Sequence, residues 1–333
     1  MKKHAPFFAL AAFALAALSA CGGTGDSGQQ LGNAIAISSA NQTSVARAAI
    51  SGGLSITQTQ SSAGIASTGS GSASAAVART HALSTLLAAA GGRRVSVASA
   101  SAQPSAASSS SAACAVSGST TSTFDDRDNS GTSTSGDVVT IAFNNCSDTT
   151  GSTINGTLVL TLTATPSATQ VAASAAFQNV VLVDSGVTTT INGSASLVET
   201  DSGTEVVDTL TIGSAGLTVA LASSAYTDSV AYASGTRIVT DDVSASGTTS
   251  SSVDGTFTTQ SLGGSLTLTT LAPLVQLSTD SYPSSGQVRV TGASTSTLLI
   301  TVLNATQVQL QLDADGNGVA ELSTSVNWST LVP

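Results

Sequence analysis

The sequence predicts an all-β protein. It is a large antiparallel meander forming an open barrel or sandwich, after a low-complexity N-terminal segment with at most one short helix. Three observations predict this. From Cys114 onward, apolar residues alternate with threonine and other small polar residues, the period of a half-buried strand. Valine and threonine, which fit a pleated surface, are abundant there. Turn residues fall every ten positions or so, a spacing that suits successive hairpins.

The first element is not part of the body. Lys2 and Lys3 precede an apolar run from Phe7 to Leu18, the length of a signal h-region and too short to span a bilayer. The run ends in Leu18-Ser19-Ala20-Cys21. These four residues resemble the lipobox of bacterial lipoprotein signal peptides. The resemblance implies a signal peptide over 1–20, cleavage before Cys21, diacylglyceryl on its sulfur and acylation of the new amino terminus. In that family an Asp after the cysteine retains the protein in the inner membrane. Gly22 and Gly23 stand here instead, which implies the outer membrane, with the periplasmic or surface face left open. The competing reading is an ordinary secretory signal with an incidental cysteine. Each buried CH₂ adds about 0.8 kcal/mol, so two or three acyl chains anchor a protein almost permanently. No later segment has 18 uninterrupted apolar residues, so the remainder is expected to be tethered and not spanning.

The second element, 21–113, reads as a Ser/Ala/Gly-rich tether or stalk. Ser101–Ala113 has linker composition. Within the stalk, Ala75–Ala90 carries a loose apolar stripe of Val77, Leu83, Leu86 and Leu87 before Gly91-Gly92, which predicts a short helix.

The third element is the antiparallel β domain, 114–333. Strands are expected at Val138–Phe143, Leu158–Thr163, Asn179–Val183, Val206–Ile212, Leu217–Leu221, Leu266–Thr270, Leu298–Leu303 and Val308–Leu312. A weak echo recurs as INGT at Ile154, INGS at Ile191 and VDGT at Val253. Its Asn-Gly or Asp-Gly dipeptides suggest tight hairpin turns just before strands. Unequal spacings argue against a regular solenoid. Aromatics are 3% of the chain, so Val, Leu, Ile and Ala must fill the core. They are also too few for the aromatic girdles of a transmembrane barrel. Trp328 with Leu331 reads as a terminal core plug.

Composition removes several chemistries. With 1–20 cleaved, no lysine remains and His81 is the one histidine. Schiff-base chemistry and multi-histidine metal sites are then excluded within one chain. A Ser-His-Asp triad would need His81, which lies in the alanine-rich stretch. From Cys114 onward eighteen acids face Arg127, Arg237 and Arg289, a balance that repels nucleic acid. The remaining enzymatic candidates are acids such as Asp241, Asp242 and Asp254 in a cleft, against solvated turns. Non-catalytic is the expectation.

Three cysteines are present. With Cys21 lipidated, Cys114 and Cys146 remain in an oxidising compartment, and a disulfide is the economical pairing. Two free thiols or a metal pair are the alternatives. Between them lies an acidic loop. Counted from Asp126, the ligand positions of a twelve-residue calcium loop hold Asp126, Asp128, Ser130 and Asp137, with Gly131 at the sharp turn. The stretch resembles an EF-hand loop without its helices. A second loop places Asp313, Asp315 and Asn317 at positions one, three and five, Gly318 at six and Glu321 at nine. Position twelve is Thr324, so the closing acid is missing. Each loop is a candidate Ca²⁺ site, and each also reads as a hairpin turn capped by Asp side chains.

The functional expectation is a lipid-anchored outer-membrane lipoprotein with a structural or interaction role. Its partners are the membrane, through the lipid, and a protein or other envelope component. The alternative is an open β-barrel that carries an apolar ligand in a large unfilled pocket. The β domain resembles uncharacterised proteobacterial lipoproteins that pair a cysteine-bounded Asp-rich loop with a late Asp-x-Asp-Gly turn and a Trp near the end. That likeness implies no activity.

Overall fold

Alternation of apolar and small polar residues resolves into one antiparallel sheet of fifteen strands. The structure, a computed structural model, describes residues 32–50 and 108–331, except 148–150, 168, 185, 224–226 and 244–245. The strands are β1 (Ser108–Ala113), β2 (Ser117–Asp125), β3 (Val138–Ser147), β4 (Ser152–Leu162), β5 (Gln170–Asp184), β6 (Val187–Asp201), β7 (Glu205–Ala222) and β8 (Thr227–Tyr232). They continue as β9 (Arg237–Val243), β10 (Thr248–Thr259), β11 (Gly264–Leu277), β12 (Ser285–Thr291), β13 (Thr297–Asn304), β14 (Gln307–Asp313) and β15 (Leu322–Asn327). Neighbours in sequence are neighbours in the sheet, except at β8 and β9. These two are collinear halves of one rung, each paired with β7 on one side and β10 on the other.

Strand periodicity sets the core. In β14, Val308, Leu310 and Leu312 are buried while Gln309 and Gln311 are not. β13 alternates likewise through Leu298, Ile300 and Val302. The runs expected to be strands lie in strands, except that Leu158–Thr163 overruns the end of β4 by one residue. Val206–Ile212 and Leu217–Leu221, read as two, are halves of the single 18-residue β7. Aliphatic side chains dominate the core, and among the described residues Phe143, Phe177, Tyr232, Phe257 and Trp328 are its buried aromatics.

Among the described residues, two α-helices complete the body. Helix α1 (Gln42–Ala49) packs against β12, β13 and β14. Val45, Ala46, Ala48, Ala49 and the following Ile50 are buried, while Ser44 is exposed. Two glycines, Gly264 at the start of β11 and Gly292 just after β12, allow its lead-in to run close to the sheet. A Cβ on Gly264 would meet the Asn33 carbonyl, and one on Gly292 the Ile35 carbonyl. There Ser265 N–H donates to Asn33 O (3.0 Å), Ile35 N–H to Ser265 O (3.1 Å) and Ala293 N–H to Ile35 O (2.7 Å). Helix α2 (Trp328–Leu331) buries both Trp328 and Leu331, with Trp328 stacked on Tyr282 at 5.6 Å. Arg47 of α1 donates to the Thr330 carbonyl at 2.9 Å and so joins the two helices.

Two parts of the stretch read as a tether therefore belong to the β body. Residues 33–50 hold a share of its core. Ser108–Ala113, read as the end of a linker, forms β1, because six small residues pair with β2 without needing apolar bulk. The signal peptide, Cys21, His81 and the helix expected at Ala75–Ala90 lie outside the described residues.

The Asn-Gly and Asp-Gly echo is corrected too. Asn155-Gly156, Asn192-Gly193 and Asp254-Gly255 lie inside β4, β6 and β10, not in hairpin turns. Each marks a break in register. Such breaks occur at each junction from β2–β3 to β6–β7 and again at β10–β11 and β11–β12. The gap between β8 and β9 falls between them, so together they form one line across the sheet. At each motif the glycine gives room and the polar side chain caps a displaced amide. Gly156, Gly193 and Gly255 have φ of +106°, +123° and +151°, and a Cβ there would strike the next strand's backbone or Thr236. Asn155 Oδ1 accepts from Asn145 N–H (2.8 Å), Asn192 Oδ1 from Asn179 N–H (2.8 Å) and Asp254 Oδ1 from Thr270 N–H (2.9 Å). Bulges bend strands and increase twist, so the line curls the sheet around its own apolar face.

Candidate metal sites in two acidic loops

The first acidic loop joins β2 to β3 and the second joins β14 to β15. β2 and β14 run in opposite directions, so the loops stand at opposite ends of the sheet. The Cys114–Cys146 disulfide is formed, with Cα atoms 5.4 Å apart. It ties the chain entering β2 to the end of β3, across from the first loop.

In the first loop Asp126 accepts from the N–H groups of Ser130 (3.1 Å) and Gly131 (2.8 Å). Asp128 accepts from Ser130 N–H (3.0 Å) and the Thr134 hydroxyl (2.8 Å). Asp137, fully buried, accepts from Arg127 N–H (3.0 Å) and Thr134 N–H (2.7 Å). The second loop repeats this pattern. Asp313 accepts from Asn317 N–H (3.2 Å) and Gly318 N–H (2.8 Å), and Asp315 from Asn317 N–H (3.1 Å). In both loops, then, position one takes the amides of positions five and six, and position three takes that of position five. Positions four and six have positive φ in both: Asn129 (57°) and Gly131 (76°), Gly316 (74°) and Gly318 (86°).

The closing acid shows what counting positions missed. Asp137, at position twelve, accepts the amide of position two. In the second loop Glu321, only at position nine, accepts the amide of Ala314, again position two, at 2.7 Å. The longer glutamate side chain from a shorter loop reaches the same amide. Thr134 was also missed; a hydroxyl at position nine gives no sequence signal of its own.

Carboxylate oxygens of Asp126, Asp128 and Asp137 lie within 4.8 Å of one another, as do those of Asp313, Asp315 and Glu321. Among the described residues, the sequence-predicted acids are thus brought together at both loops. Ser130 and Asn317 are partly engaged elsewhere. Ser130 Oγ donates to Thr132 O (3.0 Å), and Asn317 Oδ1 accepts from Val319 N–H (2.7 Å). Asp313 Oδ1 takes two amides, of Gly316 and Asn317, and Asp137 Oδ2 takes both the amide and the hydroxyl of Thr134. Asp126 Oδ1 and Oδ2, however, each take a single amide and keep a second lone pair. An oxygen-only donor set of this kind fits a hard divalent cation. The Thr134 hydroxyl, followed by the Ser130 hydroxyl and amide, holds the exposed Asp128 carboxyl at about 2. It is therefore charged at neutral pH.

Among the described residues, Asp241 and Asp242 stand opposite Ser250 and Thr249, and Asp254 stands beside the other end of β9, opposite Arg237, so these three acids do not converge. Asp254 caps its bulge. Asp241 and Asp242 are adjacent in β9 and point to opposite faces. Burial raises the Asp242 carboxyl, the Thr249 hydroxyl partly offsets this and the Asp241 charge adds to it. Asp228, buried, accepts from Thr259 Oγ1 (2.8 Å), Ser261 N–H (3.0 Å) and Ser261 Oγ (2.9 Å). It braces β8 against the β10–β11 turn. Between α1 and β10–β12 a hollow of about 10 Å³ is lined by Ile50, Val253, Leu268, Leu274 and Val288. It has room for one water at most.

No protein-family model, curated protein or solved structure matches this chain.

Proposed function

We propose that this chain is a lipid-anchored lipoprotein of a bacterial outer membrane. It holds a rigid acidic β body close to the lipid in a structural or interaction role, without catalysis, and its two acidic loops are turns stabilised by Ca²⁺. The observation that carries the reading is Leu18-Ser19-Ala20-Cys21 closing an apolar run behind two lysines. The structure supports it in two ways. The acids of the two loops cap their turns, Asp254 caps a bulge and Asp228 braces the β10–β11 turn. The interior beside α1 is filled, where a carrier of apolar ligands needs an open pocket. In this reading residues 22–31 connect the anchor to Gly32, a reach of at most about 35 Å. Gly32 lies at the sheet end that carries the second acidic loop, since Ile35 bonds Ala293 and Thr295 abuts Gly316. The anchor draws that end toward the lipid.

Mass spectrometry of the exported protein tests the anchor. The expected result is a mature chain beginning at a triacylated or diacylated Cys21, with Cys21→Ala released from the membrane fraction. A bare sulfur refutes it. For the loops, titration calorimetry at millimolar CaCl₂ is expected to show weak binding, with Kd on the order of 10⁻⁴–10⁻³ M. Part of the heat is lost in Asp126→Asn/Asp128→Asn and the rest in Asp313→Asn/Asp315→Asn. No heat in the parent protein refutes the calcium assignment and leaves the anchor standing.

A further inference from the structure

We propose that the two outer strands are complementary edges, and that β15 of one copy of this chain pairs with β1 of a second, continuing the meander between molecules. Among the described residues β1 pairs with β2 alone and β15 with β14 alone. Unpaired edges are templates for another chain, and proteins usually blunt them with charge, proline or bulges. SSSSAA in β1 and LSTSVN in β15 contain none of these.

The hydrogen-bond parity of the two edges matches. Cys114 N–H donates to Gly118 O at 3.1 Å. Alternation then turns the backbone groups of Ser109, Ser111 and Ala113 away from β2. Trp328 N–H donates to Thr306 O at 3.1 Å, which likewise turns those of Ser323, Ser325 and Asn327 away from β14. Each edge therefore offers three outward residues. The faces match as well. Ala112 stands beside buried Thr120, so Ser111 projects to the outer face. Val326 stands beside buried Val308, so Ser325 projects to the outer face too. Setting Ser111 opposite Ser325 joins ladder to ladder and inner face to inner face. Because β8 and β9 share a rung, β1 and β15 run antiparallel, and a neighbour in the same orientation presents its β15 correctly. Pairing β1 with β1 in antiparallel fashion would turn one body end over end. That choice rests on the reading of Cys21, because copies anchored to one membrane share a direction.

The test uses two variants of the full chain, Ser111→Cys and Ser325→Cys, each in a Cys21→Ala background, oxidised separately and mixed. Products are read by non-reducing electrophoresis. The mixture is expected to give a covalent dimer at least tenfold above either variant alone and above a Thr209→Cys control on the outer face of β7. A chain carrying both cysteines gives a ladder of oligomers, and adding Ser109→Pro, which removes an outward amide, reduces it. No dimer above control overturns the proposal. So does a dimer from Ser111→Cys alone, which means β1 pairs with itself, and so does an internally linked monomer from the double variant, which means the sheet closes within one chain. Anchor and edge are tested separately, because the edge experiment lacks Cys21 and the lipid is read by mass spectrometry.

Discussion

Starting the chain at Ser108 keeps all fifteen strands and removes α1 with its lead-in. The side chains of Ile37, Val45 and Ile50 are 2%, 0% and 2% exposed. At about 1.5–3 kcal/mol for each large aliphatic side chain, their loss removes about 4.5–9 kcal/mol. That leaves out the buried face of β12–β14, which loses its cover. A domain's whole stability is about 5–15 kcal/mol, so the shortened chain should lie at the edge of folding. The assay is urea denaturation followed by fluorescence of Trp328, the one tryptophan, which is buried in α2 beside α1. With a slope of about 2–3 kcal/mol/M, the midpoint should fall by about 1.5–4.5 M relative to a chain starting at Gly32. A midpoint within about 0.5 M of that reference would refute the claim that 32–50 belongs to the core.

Four further outcomes follow from single sites. Burial raises the Asp242 carboxyl, so its charge opposes folding at neutral pH. Asp242→Asn should raise the melting temperature at pH 7, and the gain should fade toward pH ~4, where the unfolded carboxylate is also protonated. Asp128 is depressed to about 2, so its contribution is present above the unfolded value and lost as pH falls through 2. Asp128→Asn should therefore lower the melting temperature at pH 6, with the difference shrinking as pH falls through 2 and vanishing toward pH ~1. Gly193→Ala places a Cβ against the Gly216 carbonyl at φ +123°, whereas Gly203→Ala at φ +87° meets open space. Denaturation should show a loss of at least about 2 kcal/mol for the first and about 1 kcal/mol for the second. Reducing Cys114–Cys146, 32 residues apart, should lower stability by roughly 3.7 kcal/mol by loop entropy, read as a midpoint shift with reductant.

The strands were legible because their signal is local. Leu298, Ile300 and Val302 declare a buried face without reference to any other part of the chain. The candidate metal loops were legible for the same reason, since Asp126, Asp128 and Gly131 lie within six positions. What escaped depends on contacts distant in sequence. Helix α1 has two β-branched residues, a scatter of alanines and no strong cap; its burial follows from the β12–β14 face, more than 200 residues away. β1 is all Ser and Ala, so only β2 reveals it as a strand. Asn155-Gly156 has the chemistry of a turn, and the sequence does not say that the amide its Asn caps belongs to Asn145 in the neighbouring strand. Glu321 sits at a position that a fixed-length template assigns to no closing ligand.

The line of bulges also limits how the chain can change in length. Each kink is matched to the one beside it, through Asn145, Gly156, Asn179, Gly193 and Gly216 in turn. Inserting or deleting one residue within a strand would move its kink out of step with both neighbours and reverse which side chains face inward beyond that point. Tolerated changes in length should therefore gather in the connecting turns, such as Ser202–Thr204, while strand lengths on either side of the line stay constant.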